Sequence, residues 1–183
     1  MKIALVLSTL VIVLGVAQES QARIGPQTCA IRTYNGHYLT AVGGGGRTYD
    51  VLHSDATRIG AWEKFKLIDS GDGSSYVHYG LQTSNGHFLT AVGRGGRTTD
   101  VIHSDATAIR DWEKFTLYAL GFGVYAIQTT DGHYLTAVGG GGRVTDVLHT
   151  DATRIGAWEK FVVRCGLRPD PEPDSQPDSQ PEL

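Results

Sequence analysis

Short runs of alternating apolar and polar residues, punctuated by glycine, fill the middle of the chain. In "HYLTAV" (37–42) Leu39 and Ala41 alternate with Tyr38 and Thr40, and in "EKFKLI" (63–68) Phe65 and Leu67 alternate with lysines. A period of two marks a strand with one buried face. No stretch of the middle region carries a helical period. Four strands are predicted in this first group: Ala30–Tyr34, His37–Val42, Tyr49–Ser54 and Glu63–Ile68. Asn35-Gly36, between the first two, is a strong hairpin signal, and it recurs at Asn85-Gly86 and Asp131-Gly132.

The group is written three times. "NGHYLTAVGGGGRTYDVLHSDATRIGAWEKF" spans Asn35–Phe65, and close copies span Asn85–Phe115 and Asp131–Phe161. The first and third copies agree at 27 of 31 positions, the first and second at 24. The spacers between them share little beyond an apolar-polar rhythm, so the motif answers to a tighter physical constraint, which is either folding or binding. Four strands in three copies, with a period near 48 residues, call for a repeat architecture. Three blades fall below the usual propeller minimum of about four. The compact alternative is an all-β, pseudo-threefold β-trefoil of twelve short strands, with repeats at about 29–78, 79–124 and 125–165.

Within this frame Leu39/Ala41, Leu89/Ala91 and Leu135/Ala137 are expected to point inward, as are Phe65/Leu67, Phe115/Leu117 and Phe161/Val163. Trp62, Trp112 and Trp158 stand beside those phenylalanines and are expected to join the core rather than to stack on a sugar. Cys29 and Cys165, the only cysteines, flank the repeats. The first and last strands of a trefoil are neighbours, so a Cys29–Cys165 disulfide is expected, the alternative being two buried thiols.

The ends differ in kind. Lys2, an uncharged run from Ile3 to Ala17 and the small-x-small Ser20-Gln21-Ala22 read as a signal peptide, 1–22, cleaved near Ala22. The run is shorter than the roughly 20 residues a spanning helix needs, so secretion is expected without a membrane span. Residues 166–183, "GLRPDPEPDSQPDSQPEL", lack an apolar period and read as a disordered acidic, proline-rich tail. Of the formal net charge of −3 the tail carries −4, leaving the trefoil region, 23–165, at +1. Such a core has no electrostatic footprint for nucleic acid and no polybasic patch for an anionic membrane.

The third predicted strand holds the candidate chemistry. If Leu52 points inward, His53 and Asp55 point outward together, as do His103/Asp105 and His149/Asp151. An Asp accepts two sugar hydroxyls, and a neutral His accepts one and donates one. The same Asp would equally serve an Asx turn or a cap, and the same His a neighbouring carbonyl. The glycine-rich loop ends in Gly45-Gly46-Arg47, Gly95-Gly96-Arg97 and Gly141-Gly142-Arg143. It lacks a phosphate loop's strand-to-helix context and reads as a tight turn that lets backbone approach a ligand. Its second glycine is Arg94 in copy two, which implies that this position need not have positive φ. Arg47, Arg97 and Arg143 would reach a ligand or cover the barrel with their stems. His37, His87 and His133 read as exposed turn residues, and His78 has no counterpart in the other copies.

The "NGHYLTAVGGGG…IGAWEKF" pattern resembles the fascin-like β-trefoil repeat, over all of Cys29–Cys165. One trefoil does not carry over the actin bundling of the four-trefoil fascins; the resemblance implies carbohydrate binding for a secreted member. The Gln-x-Trp of ricin-type trefoils is absent. Gly-Gly followed by "LHSD" is similar to the sugar site of mussel-type trefoil lectins, with "AVGG" where those have His-Pro. The expected function is therefore a monomeric, multivalent glycan-binding module with three equivalent weak sites. They would be built on His53, Asp55, Gly45 and Arg47, on His103, Asp105, Gly95 and Arg97, and on His149, Asp151, Gly141 and Arg143. The alternative is a secreted protein-interaction trefoil, such as a hydrolase inhibitor or an adhesin or toxin subunit, engaging an unrepeated surface such as loop 69–76. Catalysis is not expected, because Ser54 and His53 face opposite ways. Neither is a metal site, at two ligands per repeat where zinc wants three or four, nor any cofactor.

Overall fold

The computed structural model describes residues 26–74 and 76–168. The expected signal peptide, 1–22, and all but the first three residues of the expected tail, 166–183, lie outside them. Twelve strands run in chain order: β1 (Gln27–Arg32), β2 (Tyr38–Ala41), β3 (Leu52–Ala56), β4 (Lys64–Asp69), β5 (His78–Gln82), β6 (Phe88–Ala91), β7 (Ile102–Ala106), β8 (Phe115–Gly121), β9 (Val124–Thr129), β10 (Tyr134–Ala137), β11 (Leu148–Ala152) and β12 (Phe161–Cys165). Strands β1, β4, β5, β8, β9 and β12 pair in that cyclic order and close a six-stranded antiparallel barrel. The hairpins β2–β3, β6–β7 and β10–β11 complete the repeats. This is a β-trefoil.

The core is threefold like the sequence. Phe65, Phe115 and Phe161 are fully buried, and Leu39, Leu89 and Leu135 with Ile31, Leu81 and Ile127 pack around them. Every alternating position expected to face inward does so. Barrel closure brings β1 against β12 with Cys29 opposite Cys165, and the two are joined in a disulfide.

Two local expectations are corrected. The third strand of each repeat starts at Leu52, Ile102 or Leu148, not at the Tyr49 position, because Asp50, Asp100 and Asp146 take left-handed backbone at φ 47°, 48° and 49°. Extended pairing cannot continue through such a residue. The tryptophans are not core: Trp62, Trp112 and Trp158 are 48%, 44% and 45% exposed. The buried neighbour of each phenylalanine is instead a glutamate. Glu63 accepts the Thr40 hydroxyl at 2.7 Å and the Gly60 N–H at 2.6 Å, and Glu113 and Glu159 repeat the arrangement with Thr90 and Thr136. A buried carboxylate is tolerated only when its acceptor sites are filled. With glutamate filling the inward place, the indole turns to the surface.

His78, unmatched in the other repeats, ties down the first spacer. Its Nδ1 lies 2.8 Å from Asp72 Oδ2, and Lys114 Nζ lies 3.2 Å from the same oxygen. Burial works to raise the Asp72 carboxyl; the Ser74 N–H, His78 and Lys114 outweigh it and hold the group well below the usual carboxylate range. A depressed folded-state pKa contributes stability above the unfolded value of about 3.9, lost as pH falls toward the folded value. Asp72→Asn is therefore expected to cost about 1 kcal/mol at neutral pH, discounted for partial exposure. The gap to the parent should narrow below about pH 4, as urea titrations at several pH values would show.

Candidate functional site

Two repeated surfaces emerge, and the twelve residues singled out from the sequence divide between them and a third, structural role. Gly45, Gly95 and Gly141 belong to that role. Each is buried against a threonine of the following repeat: Gly45 against Thr83, Gly95 against Thr129 and Gly141 against Thr33. The adjacent residues clasp the next repeat's third strand. Gly46 N–H donates to Ser104 O at 2.7 Å and Ser104 N–H donates to Arg47 O at 2.8 Å. Gly96, Thr150 and Arg97 repeat this, as do Gly142, Ser54 and Arg143, which closes the ring of repeats. The loop is thus a seam between repeats, and its close backbone approach is to the protein itself.

The seam also corrects three smaller expectations. Arg94 does take positive φ, 74°, like the glycines it replaces. A Cβ at Gly44 or Gly140 would meet the Asn85 or Asn35 side chain within 3 Å. Those asparagines donate to Gly43 O and Gly139 O, whereas Asp131, facing Arg94, has no amide to donate. Where the second copy has arginine for glycine, the asparagine that would face it, in the third copy, is aspartate. His37, His87 and His133 are half-buried rather than exposed, their rings lying against Gly142, Gly46 and Gly96. Ser54, Ser104 and Thr150 point inward and are fully buried, so no Ser-His pair forms.

The first surface surrounds the pseudo-threefold axis. Residues 48–52, 98–102 and 144–148 line one depression of about 580 Å³, walled by Val51, Val101, Val147 and their apolar neighbours. Around it stand three copies of one network. Asp50 takes His53 Nε2 at 2.8 Å and Arg47 at 3.5 Å; Asp100 takes His103 at 2.7 Å and Arg97 at 3.5 Å; Asp146 takes His149 at 2.7 Å and Arg143 at 3.4 Å. Each arginine also donates from Nε to a carbonyl two residues on. The predicted His and Arg residues are therefore engaged with an aspartate that the sequence reading passed over. The signal was present, as Asp-Val-Leu/Ile-His recurs in every copy. Among the described residues no group of three metal-ligating side chains converges.

The second surface carries the remaining three, Asp55, Asp105 and Asp151. They are exposed and, among the described residues, accept no hydrogen bond, so none acts as a cap or Asx turn there. In the second repeat the surface is two adjoining hollows of about 210 and 480 Å³ that share Arg110 and Glu113. Asp105 and Thr107 line one, and Trp112 lines the other. The same segment in the first repeat runs from Asp55 to Trp62, and in the third from Asp151 to Trp158. Each presents an exposed indole a few residues from a free carboxylate.

No protein-family model matches the chain, and no curated protein matches it. Solved structures do. An agglutinin of Rhizoctonia solani aligns with a TM-score of 0.62 at 15% identity, covering 77% of this chain and 96% of that one. SeviL, in a structure bound to asialo-GM1 saccharide, aligns at 0.55 and 16%, covering 78% and 99%. The designed threefold-symmetric protein ThreeFoil aligns at 0.61 and 15%, covering 74% and 96%. At these identities the likeness shows the trefoil fold. The resemblance to fascin-like repeats rests on the residues alone.

Proposed function

We propose that the protein is a secreted, lectin-like trefoil that binds glycans through one shallow site per repeat. The observation that carries this is the threefold recurrence of one segment that holds an exposed tryptophan and an exposed aspartate with no partner among the described residues. An indole plate covers the apolar C–H face of a pyranose, and a free carboxylate accepts two of its hydroxyls. The sites are Asp55/Trp62, Asp105/Trp112 and Asp151/Trp158. The clasp glycines and the Asp-Arg-His networks hold the scaffold on which they stand. The carbohydrate in the SeviL structure and the agglutinin among the similar folds support the reading. The disulfide suits an oxidising compartment. One such site binds weakly, because few contacts must offset the immobilisation of a flexible ligand. Three together on one monomer gain about 10²–10⁴ in avidity on a glycan-coated surface whose spacing they match.

Asp→Ala at positions 55, 105 and 151, singly and together, tests the reading by calorimetry against monovalent sugars. About three sites are expected, falling stepwise to none, with the circular dichroism spectrum unchanged. A single site, insensitive to all three changes, would instead place the ligand in the axial depression.

A further inference from the structure

The three sites are not chemically alike. Between the aspartate and the tryptophan the first and third repeats read "ATRIGAW" and the second "ATAIRDW". Each holds one arginine, but in the second it has moved two residues toward the tryptophan, from the Arg58 and Arg154 position to Arg110. The change replaces a glycine. The backbone role of that glycine survives, for Arg110 N–H donates to Glu113 Oε2 at 2.9 Å as Gly60 and Gly156 donate to Glu63 and Glu159. What is new is a guanidinium that lines both hollows.

This guanidinium is uncompensated. Asp111, its neighbour, is engaged elsewhere: Arg94 lies 3.6 Å from one carboxylate oxygen and Lys114 lies 3.4 Å from the other. Glu113 is buried and takes the Thr90 hydroxyl and the Arg110 backbone N–H. Asp105 forms no ion pair with Arg110, and among the described residues Arg110 has no acidic partner. The second site thus presents a planar cation shared by two adjoining hollows, with an apolar plate lining one and an acceptor lining the other.

We infer that the second repeat is specific for a carboxylated sugar, a uronate or sialate, while the first and third take neutral sugars. The inference rests on the glycan-binding reading above. Arg110 supplies the paired donors that match a carboxylate's two oxygens, Trp112 takes the ring's apolar face, and Asp105 accepts hydroxyls at the far edge. In the other two repeats a glycine stands at this place, and their arginine, Arg58 or Arg154, sits two residues farther from the tryptophan.

The chain's three tryptophans fall one to each site, so each indole N–H reports on its own repeat. The protein is labelled with ¹⁵N, and the three indole resonances are assigned from single Trp→Phe variants. It is then titrated with the methyl glycosides of glucuronate and galacturonate, with N-acetylneuraminate, and with methyl glucoside and galactoside. At least one acidic sugar is expected to move the Trp112 resonance at concentrations about tenfold or more below its neutral counterpart, with no such preference at Trp62 or Trp158. Arg110→Gly, which restores the residue of the other repeats, should abolish the preference and leave Trp112 responding as they do. Raising salt from 50 to 500 mM should weaken the acidic response and spare the neutral ones. If neutral sugars move Trp62 and Trp158 while acidic sugars show no preference for Trp112, or if the preference survives in Arg110→Gly, the inference is overturned and the glycan-binding reading stands. If no sugar moves any of the three resonances, both fall.

Discussion

Replacing Cys29 and Cys165 together by alanine is expected to cost the domain about 4 kcal/mol. The bridge links the first and last barrel strands across a sequence separation of 136 residues. Without it, closing the barrel means bringing together the ends of a long unfolded loop, and the entropy of closure grows with loop length. The β1–β12 ladder, with Ile31 opposite Val163, still forms in the native state, so the fold itself should survive. The loss should therefore appear as an earlier urea midpoint, with a somewhat steeper denaturant slope because the unbridged unfolded chain is less compact. A loss below about 1 kcal/mol would mean that the unfolded chain already holds its ends together.

A comparable loss is expected from a single methyl group at the repeat seam. Gly141 sits at φ 100° and ψ −171°, a region open in practice only to glycine. A Cβ there would run into the Thr33 side chain, itself held by a hydrogen bond from its hydroxyl to His37 O. Backbone strain of about 1–3 kcal/mol adds to overpacking of similar size, so Gly141→Ala should cost about 3 kcal/mol or more. Gly45→Ala against Thr83 and Gly95→Ala against Thr129 should cost about as much. Gly36→Ala is the control: its φ of 89° is also positive, but nothing lies within 4 Å of the added carbon. It should lose only the strain component. If Gly141→Ala proved no worse than Gly36→Ala, the glycines would not be there for the seam.

These seam contacts show why part of the molecule was legible in the sequence and part was not. Alternation within one strand identified Leu39, Ala41, Phe65 and Leu67 as core, because facing direction is a local property of a strand. Three copies and two flanking cysteines were enough for the trefoil and its bridge. The role of "GGGGR" was not local. Asn35 reaches Gly139 across 104 residues, and Ser54 reaches Arg143 across 89. Inter-repeat contacts recur threefold just as ligand sites would, so recurrence alone does not separate them. The tryptophans were misplaced for a related reason. An aromatic next to a buried phenylalanine suggests core, but the buried place went to Glu63, whose partners Thr40 and Gly60 lie on other segments. The free state of Asp55 and the engagement of His53 by Asp50 depended on a backbone turn at Asp50, a left-handed residue hidden in what read as continuous strand.

The central claim is that the repeated Asp-to-Trp segment binds glycan. A glycan array probed with the intact protein and with the Trp62→Ala/Trp112→Ala/Trp158→Ala variant tests it most directly. The three indoles lie at the surface, so the variant should keep its fold and its disulfide. The account predicts that the parent binds a defined set of glycans and that the variant binds none of them. Unchanged binding by the folded variant, or no binding by the parent to any glycan, would contradict it.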